Sequence, residues 1–198
     1  MASYKKAFKK FYGIEHTSNK DVLHHNKKEK GLTFYGIYET AHPHLKMWEY
    51  IYLVLKKVRY SPEQSRAERK GKLERASVQL VENDNLVDEV KAFYYEQFWK
   101  PIRLDFIDSQ KIAEELFFFY VNTGKKRKTV MMAQLIVGAV PDGFIGVETI
   151  EKLNSYPVDD FDRFYDLKEM EYHARLVQAN PKQYLLNLVG WIRRDVAV

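Results

Sequence analysis

The sequence predicts a mainly α fold with a short strand or loop segment near its start. Three observations carry this. Apolar residues recur at helical spacing along most of the chain. Strand-like alternation is confined to residues 33–38. The periodic segments stop at Pro101, at Gly124, at Pro141-Asp142-Gly143 and at Asn180-Pro181, where helix breakers are expected.

Taken in order, Tyr4, Ala7, Phe8 and Phe11 share one face, so the chain opens with a helix that Glu15 leaves at its carboxyl end. A polar loop holding His24, His25 and Asn26 follows, then the short strand. Residues 45–58 place Trp48, Ile51, Tyr52, Leu55 and Val58 on a core-facing stripe. Ser61-Pro62-Glu63 supplies a cap with proline at the first helical position, and the charged run 64–76 reads as a surface helix. A weakly apolar helix over 86–99 carries Val90, Phe93, Tyr94 and Phe98 and ends at Pro101.

From Asp105, a strongly apolar pattern through Ile112, Leu116, Phe117 and Tyr120 predicts a helix stopped at Gly124. Further helices are expected over 129–137, over a short stretch ending near 153, and over 159–179. Pro181 starts the last one, with Leu185, Leu188, Val189 and Ile192 turned inward. No internal repeat of fixed period is visible.

With 198 residues, 45% hydrophobic and 15% aromatic, the chain can bury a substantial core in one domain or two small packed ones. Lys and Arg outnumber Asp and Glu by 32 to 27, giving mild attraction to an anionic polymer such as cell wall, nucleic acid or a lipid surface. The absence of cysteine excludes a disulfide scaffold and a thiolate metal site. No run of about twenty apolar residues could span a membrane, so no membrane insertion is expected. The basic start lacks the apolar core of a signal peptide, which predicts synthesis in the cytoplasm and a separate release route for work outside it.

Five of the six histidines fall within the first forty-four residues. His-Glu-x-x-His is missing, and His42-Pro43-His44 has no carboxylate companion at a telling spacing, so neither a metal nor a cofactor is expected. The basic runs Lys27-Lys28, Lys56-Lys57 and Lys125-Lys126-Arg127-Lys128 offer only nonspecific phosphate attraction, with no reading helix beside them. No specific nucleic-acid partner follows.

Glu15 carries the chemistry. The carboxyl end of a helix holds negative partial charge, and an acid there that is also shielded from water has reason to keep its proton. That is what a general acid needs near neutral pH.

Glu15, followed by Gly31-Leu32-Thr33-Phe34-Tyr35-Gly36-Ile37, resembles the signature of glycoside hydrolase family 108, in which an acid near the amino terminus precedes a glycine-containing loop and a threonine-x-tyrosine-glycine-isoleucine segment. The second half is similar to the peptidoglycan-binding region that accompanies that family, through Asp108-Ser109-Gln110-Lys111-Ile112-Ala113, Tyr120-Val121-Asn122-Thr123-Gly124, Gln134, Asp142-Gly143-Phe144-Ile145-Gly146 and Thr149. The closing Gly190-Trp191-Ile192-Arg193-Arg194 fits it too. The sequence departs from the family where His16-Thr17-Ser18 replace the usual Gly-Gly-Tyr, and the loop to Thr33 is longer.

The resemblance implies a lysozyme-like helical fold, with a catalytic region over 1–104 and a peptidoglycan-binding-like helical region over 105–198. It implies an N-acetylmuramidase that hydrolyses the bond between N-acetylmuramic acid and N-acetylglucosamine, as a phage endolysin or as a secretion activator that opens the wall. Its partner would be the glycan strand, reached through a holin or another export system. Glu15 would be the general acid. Glycoside hydrolysis also asks for a second carboxylate, and Glu29, four residues before Thr33, is either that acid or a solvated loop charge. Thr33 would position water or sugar, or bond to backbone as a turn threonine. Tyr35, Tyr38 and His16 would line the saccharide groove, with Tyr35 and Tyr38 equally readable as half core. Asn122 would bind glycan or cap a loop. A catalytically inactive wall-binding or secretion-accessory protein is the alternative, prompted by the missing Gly-Gly-Tyr.

Overall fold

The computed structural model describes residues 1–15, 18–26 and 31–196. Two proposed site residues, His16 and Glu29, lie outside them. The fold is mainly α, with one small antiparallel sheet of three strands among the described residues. None of the described helices is long and apolar enough to cross a membrane. Contacts group the chain into two compact units: a sheet unit, Glu15–Phe93, and a helical unit that joins Met1–Ile14 to Tyr94–Val198. These are packing units. The division by function at residue 104 is a separate matter and stays a proposal.

In the sheet unit, β1 (Leu23–Asn26), β2 (Gly31–Phe34) and β3 (Ile37–Tyr38) pair in that order. The strand expected at 33–38 is thus two strands around a turn. Tyr35 and Gly36 form that turn, with φ of 50° and 77°. Both central residues are left-handed, as a two-residue hairpin on twisted strands requires, and glycine is the residue that adopts this without strain. The stretch His24-His25-Asn26, expected as loop, pairs with β2 along its whole length. Its polar composition hides this, because partner strands rather than intrinsic preference decide such pairings. Leu23, Phe34 and Ile37 fill the inner face, and the Leu23 amide donates to Ser77 Oγ at 3.1 Å, which ties β1 to the next helical layer.

That layer is built from α2 (Met47–Lys57) and α3 (Arg66–Val81), followed by α4 (Asp84–Tyr94). Trp48, Ile51 and Leu55 are buried on α2 as their spacing requires, whereas Tyr52 lies exposed. The cap of α3 is Ser65, four residues later than expected. Ser65 Oγ accepts from the Glu68 amide and Glu68 answers to the Ser65 amide at 3.1 Å, a reciprocal pair that satisfies two free helix donors where Ser61-Pro62 could satisfy fewer.

In the helical unit, α1 (Tyr4–Glu15) buries Ala7, Phe8 and Phe11. The chain enters this unit again through a π-helical turn, Tyr95–Trp99, and two 3-10 turns, Lys100–Ile102 and Leu104–Phe106. Then come α5 (Gln110–Thr123), capped by Ser109, α6 (Lys126–Val137), α7 (Val147–Ser155) and α8 (Val158–Ala179). Buried Gln134 organises the turn before α7. Its Nε2 donates to Asp142 Oδ1 at 2.8 Å and to the Phe144 carbonyl at 2.9 Å, while its Oε1 accepts from the Gly143 amide at 2.9 Å. Gly143 has φ of 81°, and a Cβ there would stand 2.4 Å from Arg127 Cγ, so only glycine fits.

The chain closes with α9 (Pro181–Tyr184), a 3-10 turn over Leu185–Asn187, and α10 (Leu188–Asp195). Here the expected inward stripe fails: Leu185 and Val189 are 58% and 59% exposed. The 3-10 turn tightens the winding from 3.6 to about 3 residues per turn, which throws residues on either side out of phase. Trp191 anchors α10 instead, stacked on the His173 ring of α8 at 4.8 Å.

Glu115 on α5 and Asp166 and Glu169 on α8 lie in the interior of this unit. Burial, followed by repulsion from neighbouring acids, raises all three carboxyls above their ordinary range, Asp166 from 3.8 to about 6. An acid whose folded pKa exceeds its unfolded one stabilises the fold below the unfolded pKa, and that stability is lost as pH rises through the folded pKa. In chelator, the protein should therefore melt at a lower temperature at pH 8 than at pH 5. Asp166→Asn should remove part of that slope, about 0.5–1 kcal/mol between pH 5 and pH 8 once partial exposure is allowed for. Thermal melts of both proteins across this range test it.

Candidate active site

The outer face of the sheet brings three polar side chains into one row. Thr33 on β2 stands opposite His24 on β1 and Tyr38 on β3. Directly opposed residues project to the same side of a sheet, so these three share the face away from Leu23, Phe34 and Ile37. Thr33 is largely covered at 7% exposure, and Tyr38 is 43% exposed. Tyr38 is therefore the more open of the two to solvent. Tyr35, by contrast, is 5% exposed, held edge-on against Phe34 at 4.7 Å, and its amide donates to the Val22 carbonyl. Its left-handed backbone makes it the fixed corner of the hairpin.

Glu15 is the last residue of α1 and is half-buried. It is grouped with the sheet rather than with the rest of its helix. Asn122 belongs to the other unit. There it is exposed on the last turn of α5, at the rim of a cavity of about 330 Å³ with Tyr172, Tyr184, Trp191 and Arg194. The sheet row and Asn122 thus sit in different units.

Glu39 was missed by the sequence reading. Directly after β3, its Oε2 accepts from the Leu32 amide at 3.0 Å and its Oε1 from the Tyr52 hydroxyl at 2.5 Å. Burial and this bond push the Tyr52 hydroxyl up to about 12, so it stays a donor through the physiological range. Two donors on different elements fix the carboxylate at the edge of a cavity of about 650 Å³ that also takes in His25, Pro43 and Tyr60. The only cue in the sequence was an acid three residues past the tyrosine-glycine turn, and nothing set it apart from Glu29. On the other side of β1, a cavity of about 530 Å³ is lined by His24, His25 and basic residues of α3, among them Arg66 and Arg69.

Among the described residues, the clustered histidines have structural partners. His25 Nδ1 hydrogen-bonds to the Tyr60 hydroxyl. His24 pairs with Asp21 at 3.6 Å, and the His42 carbonyl accepts from the Trp48 indole at 2.8 Å. Burial, then the neighbouring His44, lowers the pKa of His42, which keeps its ring neutral against Phe93.

A carboxylate held by two donors, a half-buried acid at a helix end, a covered threonine and an exposed tyrosine are groups suited to acid-base work on a sugar chain. Comparison with known proteins bears on this. No curated protein matches the chain. A solved structure, that of Brucella abortus SagA, is similar over 98% of this chain and 94% of its own, with a TM-score of 0.56 and 17% identity. That likeness is one of fold, the mainly α, lysozyme-like architecture. The family model for glycosyl hydrolase 108 matches residues 21–124, just over half of the sequence. The matched segment takes in Glu29, Thr33, Tyr35, Tyr38, Glu39 and Asn122, and begins six residues after Glu15. The chain belongs to glycosyl hydrolase family 108.

Proposed function

We propose that this glycoside hydrolase is an N-acetylmuramidase, cleaving the bond between N-acetylmuramic acid and N-acetylglucosamine in peptidoglycan. The observation that carries the reading is the half-buried carboxyl of Glu15 at the end of α1, just ahead in sequence of a family-matched sheet that lines up His24, Thr33 and Tyr38 on one face. In this mechanism Glu15 protonates the glycosidic oxygen as the bond to the muramic acid ring breaks. Thr33 orients water or sugar. Tyr38 supplies the stacking surface, with His16 and the buried corner residue Tyr35 shaping the groove around it. Asn122 contributes a glycan contact from the helical unit, as part of the wall-binding region proposed for residues 105–198. Neither metal nor cofactor is required by this chemistry.

The second carboxylate is proposed as Glu29. A second assignment, Glu39, is favoured by the two hydrogen bonds that fix its side chain in a cavity of the sheet unit. Parallel assays of Glu29→Gln and Glu39→Gln separate them: the true partner should lose about 10²-fold or more in turnover, the other little. Delivery to the wall through a holin-type or other release route, in phage lysis or in protein secretion, is part of the same proposal.

The test is digestion of purified sacculi, followed by turbidity and by mass spectrometry of the released ends. Fragments with reducing muramic acid are the expected product. Intact sacculi with bound protein would overturn the hydrolytic reading in favour of a wall-binding role.

A further inference from the structure

The helical unit contains a group of acids that hydrolysis does not use. Glu115 on α5 and Asp166 and Glu169 on α8 each bring one carboxylate oxygen within 4.8 Å of the other two. Sequence spacing explains the assembly: Asp162, Asp166, Glu169 and His173 recur at intervals of four, three and four residues, a single stripe along α8.

Acids on adjacent helices are common, and their gathering alone is no site. This group is set apart by how its oxygens are left. Glu115 is 1% exposed, and neither of its buried carboxylate oxygens meets an N–H or hydroxyl donor; the side chain facing it from α8 is another acid, Asp162. Oε2 of Glu169, a residue 2% exposed, and Oδ1 of Asp166 are in the same condition. Several other buried polar side chains of this unit are satisfied, although His173 Nδ1 and Asp195 Oδ2 also lack hydrogen-bond partners. Gln134 bonds to three partners on the 142–149 turn, Thr129 Oγ1 donates to the Lys125 carbonyl, and the adjacent Glu114 holds Lys10 at 3.0 Å and accepts from Gln110. Lys111, on the same helix as Glu115, is engaged by Asp162 at 2.8 Å. Buried polar atoms are normally paired, so carboxylate oxygens aimed at one another without a donor mark the place of a missing positive charge.

We propose that Glu115, Asp166 and Glu169 bind a hard divalent cation of the Ca²⁺ or Mg²⁺ kind, which fastens α5 to α8. Carboxylate oxygens are the donors such ions select. Bonds of 2.3–2.6 Å to Ca²⁺ leave two donors on one ion at most about 5 Å apart, the spacing these oxygens already have. A softer metal would recruit imidazole, and no histidine nitrogen belongs to this group of oxygens. The cation is structural. It does not depend on the assignment of Glu15.

The full chain, stripped with EDTA and freed of chelator at pH 7.5, is titrated calorimetrically with CaCl₂ and with MgCl₂, and with Mn²⁺ followed by electron paramagnetic resonance. The expected result is one ion per chain and a rise in Tm of about 5–10 °C at a hundredfold excess over Kd. Glu115→Gln and Glu169→Gln should each lose the ion and the rise, while Glu114→Gln, next door but bonded to Lys10, keeps both. Should the variants fold poorly, the wild-type titration still decides. Absence of heat, of bound Mn²⁺ and of any shift in Tm would overturn the proposal and leave the acids as protonated partners. Binding that survives Glu115→Gln and Glu169→Gln would overturn it as well.

Discussion

Glu15→Gln is expected to lower the release of reducing muramic acid ends by about 10²–10⁴-fold, the usual contribution of a positioned general acid. Glutamine keeps the size of the side chain and its hydrogen-bonding oxygen but has no proton to give to the leaving sugar. Glutamine matches the protonated acid in size and shape at this half-buried position, so stability should hold within about 0.5 kcal/mol. The pairing of lost turnover with unchanged melting distinguishes a catalytic group from a structural one. Sacculus binding by the variant, measured by co-sedimentation, should persist. Full activity in Glu15→Gln would remove the residue from the mechanism and move the search for the acid to Glu39, the carboxylate the sheet unit holds in place.

Trp99→Ala is expected to destabilise the helical unit by about 3–5 kcal/mol, the range for removing a large aromatic from a packed core. Trp99 is fully buried at the end of the π-helical turn, with Tyr4 5.5 Å and Phe117 5.6 Å away, ring centre to ring centre and edge to face. Its indole N–H donates to Asp105 Oδ1 at 2.8 Å, and the Tyr95 hydroxyl donates to Oδ2 of the same carboxylate at 2.9 Å. Alanine therefore opens a cavity among aromatic rings and strips one donor from Asp105. Trp99→Phe separates these effects, since it refills most of the cavity but leaves the carboxylate with Tyr95 alone. It should lose only about 1–3 kcal/mol. Urea denaturation of the three proteins measures both steps; equal losses for alanine and phenylalanine would place the whole effect in the hydrogen bond.

Periodicity and breakers made most of the helices legible. The stripe of Ala7, Phe8 and Phe11 marks α1, and Ser109 with Gly124 brackets α5, because helical spacing and capping are local properties of the chain. Family membership was readable in Thr33-Phe34-Tyr35-Gly36-Ile37, but the segment read as one strand, and the left-handed turn at Tyr35-Gly36 that folds it into two emerged only in the structure. The acid at the end of α1 needed no more than a helix boundary to be placed. Other features depend on partners distant in sequence. His24-His25-Asn26 has no strand pattern of its own and becomes β1 only because β2 lies beside it. Glu39 looks like any loop acid until Leu32 and Tyr52 fix it. Leu185 and Val189 kept a helical spacing, yet the 3-10 turn between α9 and α10 sets them in solvent. Glu115, Asp166 and Glu169 lie 51 and 54 residues apart along the chain, and only the packing of α5 on α8 makes them one cluster. The sequence by itself determined most of the helices and the candidate acid, because backbone geometry and side-chain spacing act over a few residues. Tertiary structure alone decided which polar groups meet and which are buried without partners, because burial and charge pairing belong to neighbours in space.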